Sequence, residues 1–446
     1  LLLMPNPHNA QKLKISVNSL FIFLMCAVLA LFSASPHSSN QDKVQFVSGS
    51  SVERTKTQIG KLPKDDIWWN VYGEDQAWNF KNVFRFHPTV LIHRDGPVSE
   101  LVNRKMPAIP LSKVETPIGR MSLEQFLDDD QSLTMSLVIL HSGDIVYEYY
   151  KNQEPYEKAI YWSVTKIIVS TLIGILEDRN LLNLKTPVGF YIEELKDSPY
   201  ANVSIENLMN MADGLDCGDD YFDKNSCYYR YSVAIGDGYW TDSSPTDPYD
   251  FVSKLKVERI AKQGKNYQYS GVNTFILGWL IEQILDMPLQ DAITKEIWMK
   301  IGAESDGLML APRFGVPIMH GGLIARPRDA ARIGLLFTPS YKKVNEKRVI
   351  SDRFISNIKN SKLHLSQTGA PYIQVSEKQS HSAYHWDSIF ANGDFFKGGW
   401  AGQGFLVNPE KDIVAVYTGY AKDPIESQPN FLPILREMLN KVFPDS

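Results

Sequence analysis

Tyr161-Trp162-Ser163-Val164-Thr165-Lys166-Ile167-Ile168-Val169 is the stretch on which the reading of this chain turns. A serine followed three residues on by a lysine puts both side chains on one helical face, a turn apart. That is the smallest arrangement in which a neutral amine can take the proton of a hydroxyl and leave a nucleophile. The four-residue pattern is common in itself, and it recurs at Ser253, Ser340 and Ser356. Those three lie among charged, surface-like neighbours, as in Ser253-Lys254-Leu255-Lys256. After Ser163 the chain is apolar on nearly every side as far as Leu176, which reads as a buried helix. A lysine at the start of such a helix is costly to desolvate, and burial favours its neutral, basic form. The structural alternative is a capping serine followed by a lysine that reaches out to solvent.

A chain of 446 residues is too long for one small core and suggests one large domain or two intimately joined lobes. Its 43% apolar and 22% charged residues are those of an ordinary globular protein. A net charge near −5, with no dense Lys/Arg tract, gives no reason to expect nucleic acid as a partner. Lys12 and Lys14 precede the apolar run Leu20–Phe32, which is followed by Ser33-Ala34-Ser35. This is the pattern of a secretory signal over residues 1–35, so the expected location is periplasmic or secreted. The run is short for a membrane span, so no stable membrane insertion is expected after cleavage; an uncleaved anchor is the alternative. Export leaves Cys217 and Cys227, ten residues apart in a polar loop, as a candidate disulfide. Closing such a loop contributes roughly 3 kcal/mol in the chain-entropy model. Two cysteines without a nearby histidine cluster do not make a metal site, and neither metal nor cofactor is expected.

Residues 36–120, polar at first and rich in Trp, Asn, Phe and Pro over Asp65–Thr116, read as an irregular segment packed on a main body spanning 121–446. Ser122 with Gln125 forms a possible capping box at a helix start. Two apolar runs in Thr134–Tyr150, joined by His141-Ser142-Gly143-Asp144, read as a β-hairpin. Ser204 fits a helix N-cap. Thr274–Leu285, Pro327–Phe337 and Phe431–Val442 read as helices, while Phe405–Val407 and Ile413–Tyr417 read as strands. Strands near both ends, with helices between, predict one sheet built from the terminal parts with a helical lobe inserted at about 185–330.

A nucleophilic serine also needs a proton relay and donors for an oxyanion. Tyr269, in Tyr267-Gln268-Tyr269-Ser270-Gly271 ahead of an apolar helix, is the relay candidate. Gly398-Gly399-Trp400-Ala401-Gly402-Gln403-Gly404 leads into a strand and can bring backbone amides close to a substrate. Packing of the tyrosine and an ordinary tight turn at the glycines are the bland readings of the same residues.

These three pieces, in this order, resemble the serine β-lactamase and penicillin-binding superfamily, and within it the class C β-lactamase-like esterases and amidases. Ser163–Lys166 looks like the family's Ser-x-x-Lys box. Tyr269 matches the tyrosine of its Tyr-x-Asn box, with the expected Leu-Gly following at Leu277-Gly278. Gly271 stands where the family often has Asn, and Trp400-Ala401-Gly402 where β-lactamases carry Lys-Thr-Gly or His-x-Gly. Trp78-Asn79-Phe80, Phe86-His87-Pro88-Thr89, Gly321-Gly322-Leu323, Arg328-Asp329 and Gly402-Gln403 look similar to the 6-aminohexanoate-dimer hydrolase (nylon oligomer hydrolase) group.

The resemblance implies an α+β, β-lactamase/transpeptidase-like fold, a mainly antiparallel sheet flanked by helices with an all-helical lobe inserted. It further implies a serine hydrolase acting on small linear amides or esters, with Ser163 acylated, Lys166 as base and Tyr269 in the relay. The oxyanion would lie between the amides of Ser163 and Gln403, with Gly402 and Trp400 beside it. Loss of the third-box cation at Trp400 argues against efficient β-lactam hydrolysis. A β-lactamase, a D-amino peptidase and a non-catalytic penicillin-recognising sensor are the competing readings. No Gly-x-Ser-x-Gly elbow and no His-Glu-x-x-His motif occur in the chain.

Overall fold

The computed structural model describes residues 51–61, 71–238, 244–245, 247–313, 315–361, 379–424 and 430–444. The segment read as an export signal lies outside them.

Strands β1 (Thr134–His141) and β2 (Asp144–Tyr150) form the expected hairpin. Its turn residues Ser142 and Gly143 both have positive φ, 51° and 77°, as a two-residue primed turn needs to match the strand twist. The C-terminal part supplies β3 (Gln379–Ala383), β4 (Trp386–Phe390), β5 (Phe395–Gly399), β6 (Gln403–Asn408) and β7 (Ile413–Gly419). The sheet order is β2-β1-β7-β6-β5-β4-β3, antiparallel throughout. The two ends of the domain are therefore sewn together along β1 and β7, with Leu140 opposite Val414 and Val138 opposite Val416.

Side chains alternate across these strands into two separate cores. Leu137, Ile139, Ala415 and Leu406 face the C-terminal helix Leu432–Val442 through Leu435 and Met438, joined by Phe126 of the capped helix Leu123–Asp128. Val138, Leu140, Val414 and Val416 face the larger core. Three helices matter there: α1 (Thr165–Asp178), α2 (Cys227–Ile235) and α3 (Gly271–Leu285). The first eleven residues of α3 are all buried, so it runs through the middle of the helical part and needs no polar face.

Residues 185–330 are not helical throughout. Past Lys300 they carry the strands Gly307–Leu310 and Leu323–Ala325, which join Thr89–Ile92 and Ala159–Ile160 in a second, four-stranded sheet. The segment before residue 121 is more regular than its composition suggests. It contributes the strand Thr89–Ile92 and the helix Glu74–Phe80, whose Phe80 ring meets Trp162 edge-on at 5.7 Å.

Candidate active site

Ser163 sits on a short 3-10 turn, Trp162–Val164, that runs directly into α1. Trp162 is held at φ 46°, an uncommon conformation for a bulky residue that needs firm support. The support is local. Thr165 Oγ1 donates to the Trp162 carbonyl at 2.6 Å and accepts the Leu323 amide at 3.0 Å, while the Tyr161 amide donates to the Leu323 carbonyl at 2.8 Å. The turn is thus pinned to the second sheet.

Lys166 is fully buried, and its Nζ donates to Ser163 Oγ at 3.0 Å and to the His320 carbonyl at 2.8 Å. Burial lowers its pKa to about 7, Lys397 pushes it the same way, and Asp219 and Asp387 oppose the shift. Near neutrality a large share of this lysine is therefore an amine, able to accept the hydroxyl proton it faces. Its backbone is fixed as well, because its carbonyl lies 3.0 Å from His385 Nδ1.

Tyr269 has two lysines near its ring, with Lys166 Nζ at 4.7 Å and Lys397 Nζ at 4.6 Å from its ring centroid. Its hydroxyl accepts from Lys397 at 3.1 Å and is in hydrogen-bonding reach of Ser163. Burial and the nearby Asp387 carboxylate hold the phenol well above its usual pKa, so the neutral form prevails. The structure therefore brings Ser163, Lys166 and Tyr269 together as one cluster.

Lys397 is the residue that sequence reasoning missed. The third-box cation expected to be lost at Trp400 is present three residues earlier, in Lys397-Gly398-Gly399, which repeats the Lys-x-Gly form. Its Nζ is fully buried and paired with Asp387 Oδ1 at 2.5 Å, while Asp387 Oδ2 accepts the Gly398 amide at 2.9 Å. The Lys-x-Gly spacing was the available signal. The Trp-Ala-Gly triplet that follows it masked the register.

Gly399 lies against the turn that carries the serine: a Cβ there would come within 2.4 Å of the Tyr161 carbonyl. β4 pairs with β5 only at Phe395 and Phe396, so β5 is open on that side from Lys397 onward. Strand amides alternate in direction, and that of Gly398 points to the open side, toward Asp387. Were that alternation to continue one residue past the strand, the Trp400 amide would fall on the open side too. Gln403, expected to supply an oxyanion amide, lies beyond the turn that follows β5. It belongs to β6, which has a paired strand on each side, and faces Gly399 in the ladder. Its buried side chain donates to the carbonyls of Trp400, Ala401 and Gly419 and accepts the Gly419 amide. Gln403 thus holds the turn in which Ala401 (φ 56°) and Gly402 (φ 89°) reverse the chain.

Cys217 and Cys227 are disulfide-bonded, with Cα atoms 5.0 Å apart. In the aromatic stretch Tyr228–Trp240, Tyr228 and Tyr231 turn inward, to within 3.4 and 3.0 Å of the His320 ring nitrogens; Trp240 lies outside the described residues. A hollow of about 630 Å³ reaches Tyr269, lined by the carboxylates of Asp216, Asp219, Asp220 and Asp223 as well as by Tyr267 and Cys227. Among the described residues no cluster of three or more His, Cys, Asp or Glu side chains is placed to hold a metal ion.

A family model described as Beta-lactamase matches residues 122–427. The chain is 24% identical over 364 residues to the 6-aminohexanoate-dimer hydrolase of Paenarthrobacter ureafaciens, covering 81% of this chain and 89% of that one. Among solved structures it is similar to a candidate 6-aminohexanoate-dimer hydrolase from Bacillus anthracis, with a TM-score of 0.72 and 20% identity over 86% of this chain and 96% of that one. It is also similar to EstCE1, a hydrolase with promiscuous acyltransferase activity, with a TM-score of 0.53 and 14% identity over 71% and 96% of the two chains. These structural likenesses bear on the fold, which is β-lactamase/transpeptidase-like.

Proposed function

The chain belongs to the beta-lactamase family of serine hydrolases, and from that premise we propose that it is an exported hydrolase of small linear amides or esters working through an acyl-enzyme on Ser163. The observation that carries the reading is the fully buried Lys166 amine, 3.0 Å from the Ser163 hydroxyl, with its pKa lowered to about 7. Lys166 takes the Oγ proton as Oγ bonds to the substrate carbonyl carbon. The negative charge that develops on the carbonyl oxygen is met by the amides of Ser163 and Trp400. Tyr269, a neutral phenol hydrogen-bonded by Lys397, passes a proton to the departing nitrogen or oxygen and is reprotonated from Lys166. Water, activated by the same groups in reverse, then attacks the ester on Ser163 and releases the acid.

The 6-aminohexanoate-dimer hydrolase relatives favour a linear amide or ester as substrate. Lys397 restores a cation to the site, yet its charge is already committed to Asp387 at 2.5 Å. A cation so paired attracts a substrate carboxylate weakly, which keeps β-lactams and D-amino peptides behind linear substrates. The disulfide accords with export, since such bonds persist in oxidising compartments.

One panel tests the proposal: short-chain p-nitrophenyl esters, a 6-aminohexanoate dimer, a D-alanyl dipeptide and nitrocefin, each against wild type and Ser163→Ala. Ester or linear-amide turnover that vanishes in Ser163→Ala, with circular dichroism unchanged, is the expected result. Nitrocefin turnover far above ester turnover would reverse the substrate class, and slow acylation without release would mark a sensor.

A further inference from the structure

The loop closed by the Cys217–Cys227 disulfide grips the backbone immediately after Tyr269, on both sides of Ser270. The Asp219 amide donates to the Tyr269 carbonyl at 2.8 Å, and Asp219 Oδ1 accepts the Gly271 amide at 2.6 Å. One residue thus brackets the Tyr269-Ser270-Gly271 segment, at the point where α3 begins. The second carboxylate oxygen accepts the Tyr221 hydroxyl at 3.1 Å. Tyr221 in turn packs edge-on against Tyr228 at 4.9 Å and lies 5.8 Å from the Trp400 ring. Loop, relay tyrosine and oxyanion turn are therefore tied through two adjacent contacts.

The helix's own N-cap side chain does not fix this junction. Ser270 occupies the N-cap position of α3 but makes no capping hydrogen bond with its side chain. The first amide of α3 is satisfied from outside, by the Asp219 carboxylate. Asp219 sits two residues beyond Cys217, so the disulfide shortens the span over which it can drift.

We infer that Asp219 is a positioning residue for Tyr269, and that the Cys217–Cys227 disulfide maintains that position so that reduction slows turnover without unfolding the protein. The inference rests on the acyl-enzyme reading of the site. Its chemistry is geometric: a misplacement on the order of 1 Å at a relay group can cost about a hundredfold in rate. Asp219 also carries charge into the site, where Lys166, Lys397 and Asp387 are the other charged groups and His320 is held neutral by burial.

Asp219→Ala removes the bracket, whereas Asp219→Asn keeps an oxygen for the Gly271 amide and removes only the charge. With a p-nitrophenyl ester, Asp219→Ala should lose about ten- to a hundredfold in kcat with KM little changed. Asp219→Asn should recover most of that rate, with its acid limb moved to lower pH, because the anion that favours protonated Lys166 has gone. Dithiothreitol, or the Cys217→Ser/Cys227→Ser double variant, should lower kcat while the circular dichroism spectrum persists. Ser163→Ala is run alongside: residual turnover there condemns the acyl-enzyme reading itself. If Ser163→Ala is dead while Asp219→Ala and the reduced enzyme turn over at the wild-type rate, only the positioning role is overturned. Equal losses in the Asn and Ala variants, with no displacement of the acid limb, would overturn it too.

Discussion

Lys397 Nζ lies 3.1 Å from the Tyr269 hydroxyl and donates to it, although the two residues come from opposite parts of the fold, β5 and the entry to α3. The contact puts a second ammonium group beside the phenol, 4.6 Å from its ring centroid, where Lys166 Nζ lies at 4.7 Å. It also makes the paired Asp387 part of the site's electrostatics, since the same ammonium is shared between phenol and carboxylate.

Activity should rise with pH through an acid limb near 7. The required form of Lys166 is the amine, and burial lowers its pKa to about 7, so protonation below that value removes the base. On the acid side kcat/KM should fall about tenfold per pH unit. A profile for ester hydrolysis that stays flat from pH 5 to 8 would dissociate Lys166 from the rate-determining proton transfer.

Removing the Lys397 charge should move that limb upward. Lys397 helps to lower the Lys166 pKa, and Asp387, left unpaired in Lys397→Met, would favour protonated Lys166 further. The same variant strands a buried carboxylate, at a cost of about 3–5 kcal/mol. Thermal unfolding should show this loss, and Lys397→Met/Asp387→Asn should regain stability but not activity. A double variant with wild-type turnover would reduce Lys397 to a structural ion pair.

Gly399→Ala should damage both fold and rate. Its Cβ would fall 2.4 Å from the Tyr161 carbonyl, so β5 or the Ser163 turn has to move. Overpacking of this kind costs about 1–3 kcal/mol, and here the displaced backbone carries Ser163. A melting temperature and kcat both equal to wild type would contradict the close packing of β5 on that turn.

What was legible in the sequence was local. The Ser163–Lys166 spacing, the Ser142-Gly143 turn, the Ser122/Gln125 capping box and the Ser204 N-cap each depend on residues within a few positions of one another. Lys397, Asp387 and Asp219 gain meaning only from partners far along the chain, and no period or cap marks them. Lys397-Gly398-Gly399 and Trp400-Ala401-Gly402 both end in glycine, so spacing alone does not choose between them as the third box. Gly307–Leu310 and Leu323–Ala325 escaped notice because runs of four and three residues are too short to show alternation.

Gly271 explains why the family's asparagine cannot simply be restored here. A Cβ at that position would meet Tyr228 Cε2 at 2.9 Å and His320 Cδ2 at 3.1 Å, both buried and within 3.4 Å of each other through the Tyr228 hydroxyl and His320 Nε2. The space an asparagine amide would take is filled by this pair. His320 cannot retreat freely, because its own carbonyl holds Lys166 Nζ at 2.8 Å. Gly271→Asn should therefore not create nitrocefin turnover. It should lower ester kcat by about tenfold or more through displacement of His320 and, with it, the Lys166 amine. Gly271→Asn combined with Tyr228→Ala, which opens room on one side, should recover part of that loss. Nitrocefin turnover gained by Gly271→Asn alone, with ester hydrolysis intact, would show that the pocket beneath Gly271 accommodates the amide and that the aromatic filling does not set the substrate class.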